Sequence, residues 1–195
     1  MKIKIVLVPV MGMSLLAAEL PYIGVVNAEG SFWADSAGVS NHATLFNGST
    51  IQTEAVPASV QLKGGARLVL DAQSSARIYA DHTLLEKGRA QLDAGETYDI
   101  EARSLRVFLA APGSRVIVTV RGAMIDVGAL SGQIRVTNGG GVLVAMVDPG
   151  KQFELRPQAA PGAAVIAGVA VTVVAGVVAG IVVAQQQKSP ISQGR

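Results

Sequence analysis

Residues 163–184, AAVIAGVAVTVVAGVVAGIVVA, run for 22 positions without a charge. As a helix rising about 1.5 Å per residue, such a run is roughly 33 Å long, enough to cross a hydrocarbon core of about 30 Å. Its nine Val and two Ile contribute roughly −3 to −7 kcal/mol toward insertion, while Ala and Gly add little. A buried helix of this kind needs apolar cover on every side, which a small β domain does not supply. The segment therefore predicts a transmembrane helix at 163–184, with 185–195 as a short cytoplasmic tail.

Within that span Ala164, Gly168, Thr172, Gly176, Gly180 and Ala184 recur every fourth residue and include a Gly176-Val-Val-Ala-Gly180 step. On a helix they form one stripe of small residues along which two backbones can approach. This predicts self-association in lipid, and with it a homo-oligomer held by the membrane segment.

The N-terminus, MKIKIVLVPVMGMSLLAAELPYIG, has two lysines ahead of an apolar run from Ile5 to Ala18. About 14 residues are too few to span comfortably. The pattern predicts a signal peptide over residues 1–18, with cleavage after Ala18 or further on after Ala28, and an uncleaved anchor as the alternative. Lys2, Lys4, Lys188 and Arg195 lie on the distal sides of the two apolar segments; without them 12 basic residues face 14 acidic ones. That distribution predicts a translocated middle and two cytoplasmic ends. A net charge of +2 is no electrostatic footprint for nucleic acid.

From Ile23 to Leu155 there is no helical period. Short β-branched or alternating runs follow one another instead, at about 8 to 12 residues' spacing. They read as strands at Ile23–Ala28, Thr44–Phe46, Ser59–Leu62, Arg67–Leu70, Ala76–Tyr79, Thr83–Leu85, Arg89–Leu92, Thr97–Ala102, Arg106–Ala110, Arg115–Val120, Met124–Gly128, Gln133–Val136, Val142–Met146 and Gln152–Leu155. Turn pairs such as Asn47-Gly48, Gly64-Gly65, Pro112-Gly113 and Pro149-Gly150 punctuate them. This rhythm fits a β-sandwich, a barrel or a β-solenoid. Arg115–Val120 is apolar almost throughout, which predicts a strand covered on both faces. Residues 156–162, with two prolines, read as a stiff linker that keeps the β domain near the bilayer.

Several runs carry a resemblance: Val60–Leu70 with Gly64-Gly65, Leu84–Ala90 with Gly88, Leu105–Val107, Gly122–Val127, Leu130–Val136 with Gly132, and Val147–Lys151 with Gly150. Together they resemble the FecR-like domain, over roughly residues 23–155. The resemblance implies stacked short strands on the periplasmic side of a bacterial cytoplasmic membrane, crossed here once. In the signalling members such a domain hears an outer-membrane receptor and controls a sigma factor through an N-terminal cytoplasmic segment. In this chain a signal peptide is expected in that place, and only a short tail beyond the expected span.

Residues suited to chemistry are sparse. With no cysteine there is no disulfide, thiolate ligand or thiol nucleophile. His42 and His82 stand in predicted loops without paired-ligand spacing, and Ser114 and Ser131 lack a GxSxG frame. Gly150-Lys151 lacks the upstream glycine of a phosphate loop. Asp93, Glu96 and Asp99 match no calcium loop and read as a solvated turn. Asn47-Gly48-Ser49 reads as a turn. No enzyme, cofactor or metal is expected. Phe32-Trp33 is the one aromatic pair in an aromatic-poor chain; it plugs the β core or forms a partner-facing or lipid-facing anchor. The expected function is an envelope-facing interaction or structural module with an envelope protein as partner. The alternative is the sensor subunit of a transmembrane signalling or sigma-factor system that works through a partner.

Overall fold

The computed structural model describes residues 21–93, 98–157 and 169–172. It is all-β, in the order β1 (Tyr22–Ala34), β2 (Ala37–Phe46), β3 (Ser49–Thr53), β4 (Ala58–Leu62), β5 (Arg67–Leu70), β6 (Ser75–Ile78), β7 (His82–Asp93), β8 (Asp99–Ala102), β9 (Leu105–Leu109), β10 (Arg115–Arg121), β11 (Met124–Ser131), β12 (Ile134–Asn138), β13 (Leu143–Val147), β14 (Gln152–Pro157) and β15 (Val169–Thr172). All pairings are antiparallel except the short one between β7 and β8, at His82–Leu84 and Asp99–Glu101.

Two long strands organise the molecule. The first half of β1 pairs with β4, and its second half with β3. The first half of β7 pairs with β6, and its second half with β5. With the β4–β5 and β3–β6 pairs, six strands close into a ring: β1, β4, β5, β7, β6, β3. Closure leaves these strands no free edge. Beyond β7 the two layers continue, one as β10–β11–β14–β15 and the other as β8–β9–β12–β13. The fold is thus a six-stranded barrel extended into an open two-layered compartment; of the sandwich, barrel and solenoid that the strand rhythm allows, the barrel describes its closed part.

Alternation fills the interior. In β10, Val116, Val118 and Val120 are buried while Ile117 and Thr119 are only partly covered, so this strand is covered on one face, not both. Val127, Phe153, Ile134 and Val136 belong to the same buried hydrophobic core. Thr83–Leu85 and Arg89–Leu92, separate in the sequence reading, are one strand, because a bulge at Glu86 carries β7 through Lys87 and Gly88. β3 and most of β2 had no apolar signal: β2 is exposed over most of its length and, among the described residues, pairs only with β1. Asn47-Gly48 is the expected turn; Asn47 Oδ1 accepts from Ala80 N at 2.9 Å.

Residues 1–18 and 185–195 lie outside the described residues, as does the predicted span apart from Val169–Thr172. Those four form β15, antiparallel to Glu154–Pro157. Among the described residues no helix is long and apolar enough to cross a membrane. Of the linker, Arg156 and Pro157 belong to β14.

Candidate functional site

The outward face of β8–β9–β12–β13 combines charge, an aromatic ring and exposed apolar side chains. Cross-strand register sets two rows. One runs Asp99, Phe108, Arg135, Met146; the other runs Glu101, Arg106, Thr137, Leu143. Residues directly opposite on one face are close enough to interact, so each row is a line of touching neighbours.

The β8 end is electrostatically closed. Arg106 Nε donates to Asp99 Oδ2 at 2.8 Å and forms an ion pair with Glu101, whose Oε1 lies 2.9 Å away. Asp99 is nevertheless pushed above the ordinary aspartate value, because desolvation by burial outweighs the guanidinium beside it. The pairing raises Arg106 in turn. Behind this pair, the Tyr98 phenol meets Thr83 Oγ1 at 2.7 Å and donates toward the carbonyl of His82 at 2.8 Å. Burial pushes that phenol up. The network pins the start of β8 against β7.

Moving outward, Phe108 lies under two guanidinium groups, Arg106 at 5.6 Å and Arg135 at 5.0 Å from its ring centre. Both distances fall within the range of a cation–π attraction. Arg135 forms no ion pair with any described residue. An open groove of about 420 Å³ lies here, lined by Arg106, Phe108, Arg135, Asn138, Gly141 and Leu143. Its rim is stiff: Asn138 Oδ1 accepts from Gly140 N at 3.0 Å and from Val142 N at 2.9 Å.

The far end is apolar. Val142, Leu143 and Met146 are 63, 54 and 44 % exposed. Among the described residues β13 pairs only with β12, and residues 139–147, GGGVLVAMV, contain no charge and no proline. Edge strands are usually protected by such residues; this one is bare.

The aromatic pair is split by the strand. Phe32 is 1 % exposed and sits in the core, while Trp33 is 42 % exposed. Of the small-residue stripe, Thr172 belongs to β15; Ala164, Gly168, Gly176, Gly180 and Ala184 lie outside the described residues. His42 and His82 stand on strands β2 and β7, not in loops. His82 stacks on Tyr79 with centroids 4.4 Å apart and meets Asp81 at 2.9 Å, which lowers the Asp81 carboxyl. Asp99, read as part of a solvated turn, is largely buried; Glu96 lies outside the described residues. No three His, Asp or Glu side chains gather as for a metal ion among the described residues. Sequence reasoning missed the bracket of Arg106, Phe108 and Arg135, whose members come from different strands; the one available signal was the uncharged run before Asp148.

No protein-family model matches the chain, and no curated protein does. Two crystal structures of a "putative anti-sigma factor" from Parabacteroides distasonis ATCC 8503 are similar to it. Each has a TM-score of 0.46 and 19 % sequence identity, covering 54 % of this chain and 54 % of its own. The chain thus spans about half the length of the solved proteins it matches.

Proposed function

We propose that this chain is a membrane-tethered, envelope-facing module of FecR-like type that acts by holding another envelope protein. The partner is an extended segment that adds a strand to β13, places apolar side chains against Leu143 and Met146, and brings an acidic side chain to Arg135. The observation that carries this reading is the edge of β13: among the described residues, an uncharged, partly exposed strand with no second neighbour, beside an aromatic ring and a cation with no acidic partner. Strand addition draws affinity from backbone hydrogen bonds and specificity from alternate side chains. Charge complementarity fixes the register.

The chain has no cysteine, so a single reactive group can be placed at will. A photo-crosslinking residue at Met146, in cells carrying the full chain, is expected to form an adduct that maps to an extended acidic–apolar segment of another envelope protein. The same probe at Arg67 is expected to form none. Equal adducts at both positions, none at either, or an adduct only to a second copy of the chain would overturn the reading. The tether is tested separately: the full chain should stay in the membrane pellet on alkaline extraction, and its release would refute that part.

A further inference from the structure

A second groove lies on the barrel, away from the β13 face. Register across five strands places Gly38, Trp33, Gln52, Ser75 and Lys87 in one row over β2, β1, β3, β6 and β7. From Trp33 to Lys87 the row covers three interstrand steps, roughly 14 Å. An open groove of about 730 Å³ follows it, lined by Trp33, Gln52, Glu54, Gln73, Glu86 and Lys87.

Its platform is preset. Trp33 Nε1 donates to Glu54 Oε1 at 2.8 Å, so the indole holds one orientation before any ligand arrives. Little side-chain entropy is then lost on binding. Gly38, directly across from Trp33, has no side chain; a Cβ there would lie 3.9 Å from Cζ3 and 4.0 Å from Cη2 of the ring. A larger residue at 38 would grow over the indole, and glycine leaves it bare. The Gln52, Gln73 and Lys87 side chains form no hydrogen bond or ion pair with any described residue. Glu86 is already held by Ser75 Oγ at 3.0 Å and by Arg77 at 3.8 Å. Two carboxylates beside one ammonium group offer nothing to an anion.

A rigid, half-exposed indole leading into a line of amide, hydroxyl and amine groups matches one chemistry. A pyranose ring presents an apolar C–H face for the indole and a rim of hydroxyls for planar amides and an ammonium. We propose that this groove binds an uncharged oligosaccharide segment, with its first ring on Trp33 and its later rings along Gln52, Gln73 and Lys87. The site is independent of the β13 edge.

Trp33 is the chain's single tryptophan, so its emission reports on this groove alone. The full chain, kept in a polyoxyethylene detergent free of sugar, would be titrated with maltohexaose, cellohexaose and chitohexaose. At least one is expected to give a saturable blue shift and a matching calorimetric isotherm. Trp33→Ala and Gly38→Val are each expected to weaken that isotherm by about tenfold or more at unchanged unfolding temperature, and Arg135→Glu to leave it unchanged. Absence of both shift and heat with all three sugars would overturn the proposal, and so would binding that survives Trp33→Ala.

Discussion

The side chain of Ser74 stands where a Cβ on Gly88 would have to go. Such an atom would lie 2.3 Å from Ser74 Oγ, 2.5 Å from its Cα and 2.7 Å from its Cβ, and the backbone at Gly88 has φ +90°. The same relationship recurs between Gly132, at φ +69°, and Ser114, at 2.0 Å from Oγ and 2.7 Å from Cβ. Topology repeats around both pairs. In one, β5 leads through a loop to Ser74, then the hairpin of β6 and early β7, then Gly88, and late β7 returns to pair with β5. In the other, β9 leads to Ser114, then the β10–β11 hairpin, then Gly132, and β12 returns to pair with β9. The two segments share one local connectivity. Each glycine marks the point where the chain leaves one layer for the other.

Gly88→Ala and Gly132→Ala should each cost about 2–4 kcal/mol, since a left-handed backbone and a steric collision add. Gly65→Ala is the control: its φ is +83° but nothing lies within 4 Å of the added Cβ, so it should cost only about 1–2 kcal/mol. Denaturant unfolding of the three variants tests the order. Equal losses at positions 65 and 88 would show that backbone strain alone acts.

The two serines differ in their bonding, and their alanine variants should differ with them. Ser74 Oγ accepts from Arg89 N at 3.0 Å and donates to Arg89 O at 3.2 Å, while Ser114 Oγ is buried with no partner among the described residues. Ser74→Ala strands a backbone N–H and should cost about 1–3 kcal/mol; Ser114→Ala removes an unpaired hydroxyl and should be neutral or mildly stabilising. Matched thermal melts of the two variants decide it.

The strands between Ser59 and Leu155 were legible because alternation there is strong; Arg67–Leu70 coincides with β5. Phe32 and Trp33 show the limit of a motif reading: consecutive residues on a strand point to opposite sides, so one entered the core and the other faced out. Closure of the barrel was not legible, since it depends on pairings such as Phe32 with Thr53 between strands remote in sequence. Glu86-Lys87-Gly88 hid the continuity of β7, because a bulge breaks the period of two. The β13 edge was visible only as an apolar run; its exposure follows from having no second neighbour among the described residues.

Asp99 should make stability fall as pH rises. Its carboxyl holds a proton more tightly in the fold than its ordinary value of 3.8 implies, chiefly through burial. Between that value and the raised folded value, the folded chain keeps a proton that the unfolded chain has released, so stability declines through this window and then levels off. The stability of the native chain relative to Asp99→Asn should follow that course, with the native chain best placed at the acid end. A difference that grows with pH would mean that attraction to Arg106 outweighs burial.

Leu143→Lys should separate folding from docking. The side chain is exposed on an edge strand, so the substitution should change unfolding free energy by no more than about 0.5 kcal/mol. A charge at this point protects the edge against strand addition and sets a cation beside Arg135, so the Met146 crosslink should disappear. Arg135→Ala provides the complement. It removes the cation over Phe108 while leaving the backbone edge open, and should weaken the crosslink without abolishing it. Persistence of the adduct at native yield in Leu143→Lys would place the partner's contact elsewhere than on the edge of β13.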